Sequence, residues 1–159
     1  MSTLFEPNDI LAIYGQRYRL VRLDRQDAFV IALDSHFCLP SRMSLQSLAE
    51  LLALGNLRVT AGAAPAPRMC PPTEVELRCA VRRWLYIERI VEHPRLFDNT
   101  VRSHLVQLAA REFSVTRQTV IRCLRLYLQG GASRDALLPT YTHSERDDSA
   151  TARSPNTSR

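Results

Sequence analysis

Apolar and polar positions alternate along the first third of the chain and recur at helical spacing along most of the remainder. Ile10 to Tyr14 (ILAIY) is a short apolar run, followed by the turn signal Gly15-Gln16. Tyr18, Leu20 and Leu23 then interleave with Arg17, Arg19 and Arg22, close to a period of two. Arg25-Gln26-Asp27 breaks the pattern, and Ala28 to Leu33 (AFVIAL) supplies a third run rich in β-formers. Two tight connections in succession predict an antiparallel meander. Ser44 is placed to cap a helix from Leu45 to about Leu54 that stops at Gly55, with Leu45, Leu48, Leu51 and Leu52 as its apolar stripe.

The second half is helical. Thr73-Glu74-Val75-Glu76 is a capping box, in which Thr73 and Glu76 satisfy each other's orphan donors, and it opens a helix from Glu74 to about Glu92. Leu77, Val81, Trp84 and Leu85 are expected to line one face, widened by Ala80, Ile87 and Val91, with Arg78, Arg82, Arg83 and Arg89 largely off it. Trp84 lies within that stripe and reads as a core anchor rather than a platform for a stacked base. His93-Pro94 ends the helix. Asp98-Asn99-Thr100 starts another, whose stripe of Val101, Leu105, Leu108 and Ala109 runs to about Glu112. Phe113-Ser114-Val115 interrupts it, and Thr116 caps RQTVIRCLRLYL, which stops at Gly130-Gly131. Two short helices joined by a turn of about three residues form a helix-turn-helix. Ala110, Ser114 and Val120 fall where such a unit needs a small residue at the crossing, a turn residue and a buried aliphatic; Ser114 stands where glycine is common, so the turn must accept a serine.

These elements define an α+β chain. Residues 1–60 form a small N-terminal antiparallel β-meander plus helix. Residues 61–72 (AGAAPAPRMCPP) form a Pro/Ala-rich semi-rigid linker, and 73–131 an all-α helix-turn-helix domain. Residues 132–159 hold a Leu-Leu-Pro segment and a polar Ser/Thr-rich tail expected to be disordered.

Composition narrows the function. With 159 residues the chain can bury only a modest core, which excludes most multidomain enzymes. No apolar run approaches the roughly 20 residues that span a bilayer. The start, MSTLFEPNDI, lacks the basic and apolar regions of a secretory signal, so a cytoplasmic protein without a membrane partner is expected. Cys38, Cys70, Cys79 and Cys123 form no CxxC pair, and His36-x-Cys38 is the only close His/Cys pair; free thiols and no metal site are expected. Asp9, Asp24, Asp27 and Asp34 fall mostly at strand ends as solvated turn carboxylates. No catalytic constellation, cofactor motif or small-molecule substrate site is legible.

All 21 basic residues are arginine. Residues 1–60 carry six arginines and six acids, whereas 73–131 carry ten against six, so nearly all of the net +5 sits in the helical domain. A basic domain beside a neutral one is the footprint of a polyanion binder. At 100° per residue, Val120, Cys123, Leu124 and Tyr127 cluster on one side of the last helix, and Gln118, Arg122 and Arg125 share the opposite side. Arg117 in the first turn reaches outward. In a helix-turn-helix the second helix enters the major groove, where arginine pairs with guanine and glutamine with adenine. Arg117, Gln118 and Arg122 are thus candidates for base reading, with Arg125 on the same face. Thr116 and Thr119 suit phosphates or a thymine methyl, and Arg102 and Arg111 on the preceding helix suit backbone phosphates. The competing reading is a three-helix bundle with an arginine-rich solvated face. Motif spacing and local charge are independent signals, and both favour duplex DNA.

The order of elements, with YRLVRLD in the meander, a leucine-rich helix, a Pro-rich linker, a Trp-bearing helix, LAAREFSVTRQTVIRCL and GGASRDALLPTY, resembles the N-terminal region of TnsB/TniA-type transposases. These are DDE recombinases, more distantly similar to Mu transposase. The resemblance runs from about Ile10 to Tyr141 and is most specific over Arg95–Tyr141, above all at Leu137-Leu138-Pro139. It implies a region that helps recognise transposon ends, which in the family precedes an RNase H-like catalytic domain with three carboxylates. Only 18 polar residues follow Tyr141 here, and Asp147-Asp148 among them is a solvated pair. The expectation is a non-enzymatic, truncated or stand-alone DNA-binding derivative. Two other classes stay open: an accessory module that docks on a full-length transposase or its ATPase partner, and a transcriptional regulator, which would need a dimer to read paired half-sites.

Overall fold

The computed structural model describes residues 4–63 and 68–140; the polar tail and the middle of the linker lie outside the described residues. Five strands form one antiparallel sheet: β1 (Ile10–Ile13), β2 (Gln16–Leu23), β3 (Asp27–Ala32), β4 (Ser41–Ser44) and β5 (Leu57–Thr60), in the order β4-β3-β2-β1-β5. The expected meander is its centre. Ile13 faces Gln16 across a two-residue turn, Tyr14-Gly15, in which both residues have positive φ, the backbone that suits the twist of a hairpin. Tyr14 therefore belongs to the turn and not to the strand.

Helix α1 (Leu45–Ala53) follows Ser44, whose hydroxyl accepts the Ser47 N–H at 3.0 Å. After the linker come α2 (Glu74–Val91), α3 (Asn99–Glu112), α4 (Arg117–Gln129) and a 3-10 turn, Arg134–Leu137. The capping box forms as read: Thr73 N–H donates to Glu76 Oε2 at 2.7 Å, and the Thr73 hydroxyl accepts from Glu76 N–H at 3.3 Å. Asp98 caps α3 by accepting the N–H groups of Thr100 and Val101. Those bonds and the Arg95 guanidinium hold its carboxyl below the usual range.

Each face of the sheet has its own task, because successive side chains point to opposite sides. Leu20, Ala28 and Val30 join Leu11, Ile13, Leu57 and the α1 residue Leu48 in one core. From the other face Ile31 enters a second core, built with Ile87, Ile90, Val106, Val120, Leu124, Leu128 and Leu137 of the helical domain. A register shift between Leu20 and Arg22 lets both Val21 and Arg22 address this side: Val21 packs on the helical core and Arg22 lies over the Phe97 ring at 5.6 Å. Phe29 stacks on Phe97 with ring centroids 4.4 Å apart.

Three helical details correct the sequence reading, the first on α3, where Leu108 of the expected stripe is 46% exposed and Val106 is buried instead. On α2 the expected core face is rotated: Ile87 and Ile90 are the buried residues, while Leu77, Val81 and Leu85 are 48, 60 and 46% exposed. The reason is that α2 packs simultaneously on α3, α4 and the 3-10 turn, which cover the row through Ala80, Trp84, Ile87, Ile90 and Val91 and leave the neighbouring row uncovered. Arg83, expected off the core face, lies half-buried and donates to the Leu137 carbonyl at 2.8 Å. Trp84 is a packing residue. It meets Tyr127 at 5.5 Å, carries the Arg134 guanidinium at 4.1 Å and donates its indole N–H to Glu88 at 3.0 Å.

Candidate nucleic-acid interface

The turn between α3 and α4 sets the geometry. Phe113 ends α3, and Ser114 takes the left-handed conformation, φ 53°, so that Ser114 N–H reaches the Arg111 carbonyl and Val115 N–H the Ala110 carbonyl at 3.0 Å. This satisfies two orphan carbonyls at the helix end and turns the chain sharply toward α4. Serine occupies a conformation that glycine adopts without steric cost. Ala110 and Val120 are both buried at the crossing. Thr116 caps α4, its hydroxyl accepting the Thr119 N–H at 3.1 Å and sharing a 2.8 Å hydrogen bond with the Thr119 hydroxyl. The two hydroxyls are thus already engaged with the helix end, and the methyl groups are the parts left for an apolar contact.

Helix α4 divides as its angular pattern requires. Val120, Cys123, Leu124 and Leu128 are buried, with Tyr127 packed beside them, and Arg117, Gln118 and Arg122 are exposed. Burial pushes the Cys123 thiol up, away from a reactive thiolate. Arg111, Arg117 and Arg122 take part in no ion pair among the described residues. Arg125 is half-buried, and its Nε–H finds no acceptor within the described protein.

Arg102 does not belong with these residues. The residue is only 5% exposed and its side chain points into the helical domain, donating to the Leu96 carbonyl at 3.3 Å and to Asn99 Oδ1 at 3.2 Å. Burial lowers its affinity for the proton. A guanidinium held in this way ties the loop before α3 to the helix and cannot reach a phosphate, so the backbone contact expected from Arg102 is withdrawn.

Thr116, Gln118, Thr119, Arg122 and Arg125 line one wall of an open cleft of about 530 Å³, whose other wall is His36, Phe37 and Leu39 of the sheet domain. Toward α2, Arg122 also borders a smaller hollow of about 190 Å³ with Arg82 and Arg83. The basic surface is therefore wider than α4, and Arg82, exposed on α2, joins it. Sequence reasoning gave no hint that the β3–β4 loop would stand beside α4, because the contacts that place it are long in range. Gln129 Nε2 donates to the carbonyls of Ala32 at 2.7 Å and Ser35 at 3.0 Å, and Arg19 Nε donates to the Gln129 carbonyl at 2.8 Å.

The described residues hold no cluster of three or more His, Cys, Asp or Glu side chains suited to a metal, and no helix among them is long and apolar enough to cross a membrane.

The fold defines a small antiparallel sheet domain packed on a helical domain that presents an arginine-bearing helix at the exposed edge of a helix-turn-helix unit. Residues 4–61 match the TnsB N-terminal SH3-like domain and residues 81–141 the TnsB second domain, so the chain carries the first two domains of the TnsB transposition proteins. It is similar to the Transposon Tn7 transposition protein TnsB of Escherichia coli, with 42% identity over 55 residues. That stretch covers 35% of this chain and 8% of the Tn7 protein.

Proposed function

We propose that this chain binds duplex DNA at transposon-end-like sites, with α4 in the major groove. The observation that carries the reading is the exposed face of α4, where Gln118 and Arg122 stand with Arg117 on a helix whose opposite face is buried. Arg122 and Gln118 read base edges, while Arg111 and Arg82 contact phosphates. Thr116 and Thr119 contribute methyl contacts. Affinity comes largely from arginine–phosphate pairing with release of counterions and therefore weakens steeply with salt. These 159 residues act as a reader of ends and carry out no strand transfer by themselves.

The test is fluorescence anisotropy on a random-sequence duplex about three helical turns long, titrated with salt, with the R117A/R122A double variant as control. Micromolar, salt-sensitive binding that drops in the variant supports the reading, and absence of binding at low salt overturns it. On a preferred site, R122A costs about 1–3 kcal/mol and relaxes preference at one base pair. An equal loss on every sequence would make Arg122 a phosphate contact instead.

A second reading rests on the uncovered row of α2. Leu77, Val81 and Leu85, with Leu108 of α3 nearby in the same exposed apolar set, offer a protein-docking face, as for an accessory factor of a transposase or its ATPase partner. Capture of such a partner that survives R117A/R122A and fails in L77S/V81S/L85S favours it.

A further inference from the structure

The loop 33–40 between β3 and β4 combines two properties that rarely coincide. Its backbone is fixed: Gln129 holds the carbonyls of Ala32 and Ser35, the single S–H of Cys38 lies between the same two carbonyls with Sγ at 3.1 and 3.4 Å, and Arg17 pairs with Asp34. Yet Phe37 at its tip is 96% exposed. A phenyl ring is stabilised by burial, and the pinned backbone holds this one away from both cores. It stands instead on the wall of the cleft that faces α4.

The chemistry of that cleft is complementary to a duplex. The α4 wall carries Gln118, Arg122 and Arg125. The loop wall carries His36, Phe37 and Leu39, and the one acid of the loop, Asp34, is already paired with Arg17. Cationic forks on one side and an exposed aromatic ring on the other match a ligand that is anionic along its edge and apolar at its bases. In the major groove the apolar feature open to such a ring is the thymine methyl group.

We infer that the β3–β4 loop is a second DNA-reading element, with Phe37 in apolar contact with the thymine methyls of base pairs flanking those read by α4. The inference rests on the DNA reading above and adds to it a role for the sheet domain. The clamp between Gln129 and the loop backbone fixes the spacing between the two contacts, so the chain reads a longer site than one helix covers.

Parallel selections from a library of duplexes with a randomised centre, made with the full chain as wild type, F37A, F37L and R117A/R122A, test it. The ring is almost wholly in solvent, so F37A folds as the wild type does, which a thermal melt verifies. The wild type is expected to enrich a central block with flanking A·T positions. F37A keeps the block, loses the flanking preference and binds the wild-type site roughly tenfold more weakly. Its salt dependence is unchanged, because no phosphate contact is lost, and F37L keeps part of the preference. Retention of the full motif and affinity by F37A overturns this inference alone, as does a loss of self-association by F37A with the motif intact. Failure of the wild type to enrich any motif or bind duplex overturns the DNA reading and the inference together.

Discussion

Helices α2 and α4 are both amphipathic by sequence, but only α4 buries the side that its pattern marks. Its apolar residues fall in one arc against α2, α3, the 3-10 turn and β3, and its polar arc is left to solvent. On α2 the apolar residues spread over two arcs, one packed and one uncovered. Both helices pack on several neighbours, so neighbour number does not separate them. The apolar residues of α4 form a single arc, which periodicity locates, whereas those of α2 span more than its packed surface, and periodicity alone cannot say which edge of an over-wide apolar arc stays outside.

The largest expected effect sharpens that contrast. Leu124 of α4 is fully buried, and L124A should lower stability by about 2–5 kcal/mol. L85A, on the uncovered row of α2, should change it by about 0.5 kcal/mol or less. Urea unfolding of the two variants checks this, and a comparable loss in both would show that the α2 row is covered in solution.

Arginines on the helix before the turn offer the next comparison. Removing the Arg102 side chain leaves the Leu96 carbonyl and Asn99 without their donor, so R102A should cost about 1–3 kcal/mol of stability. R111A should leave the melting temperature unaltered and reduce the salt slope of DNA binding by about one. If R102A changed the slope and not the stability, its guanidinium would be a phosphate ligand after all.

The smallest effect compares two helix ends of the same kind. Gly131 takes the left-handed position after α4 and Ser114 the equivalent one after α3. The side chain at Ser114 is strained there, so S114G should raise stability by about 0.5–1 kcal/mol, the steric relief exceeding the added freedom of the unfolded chain. Differential scanning calorimetry resolves a gain of that size.

Much of this architecture was legible in the chain because local chemistry dictates it. The Thr73–Glu76 box, the Asp98 and Thr116 caps, and the split of α4 between Val120, Cys123 and Leu124 on one side and Gln118 and Arg122 on the other depend on residues within a few positions of each other. Strands β4 and β5 went unread. Each is four residues long and lies at a sheet edge, and β5 is paired only by β1, far back in the chain. Arg102 misled for a different reason: its partners Leu96 and Asn99 are near in sequence, but its burial follows from how the loop before α3 folds over the helix, which the periodicity of α3 does not show. The Leu137-Leu138-Pro139 segment proved to be core. Leu137 is fully buried, and a Cβ on Gly130 would stand 2.1 Å from the Ala136 Cβ, so the glycine permits the 3-10 turn to close on α4.

The clamp that joins the two domains is written mostly in main-chain atoms. Gln129 grips carbonyl oxygens of Ala32 and Ser35, and Arg19 grips the carbonyl of Gln129. Carbonyls are common to every residue type, so these hydrogen bonds do not depend on the side chains at Ala32 and Ser35, while within the loop Cys38 and Asp34 supply the remaining ties. His36 and Phe37 can therefore be exchanged by mutation while the loop keeps its place. A lineage of such chains could change what the loop touches one substitution at a time, without first rebuilding the frame that presents it.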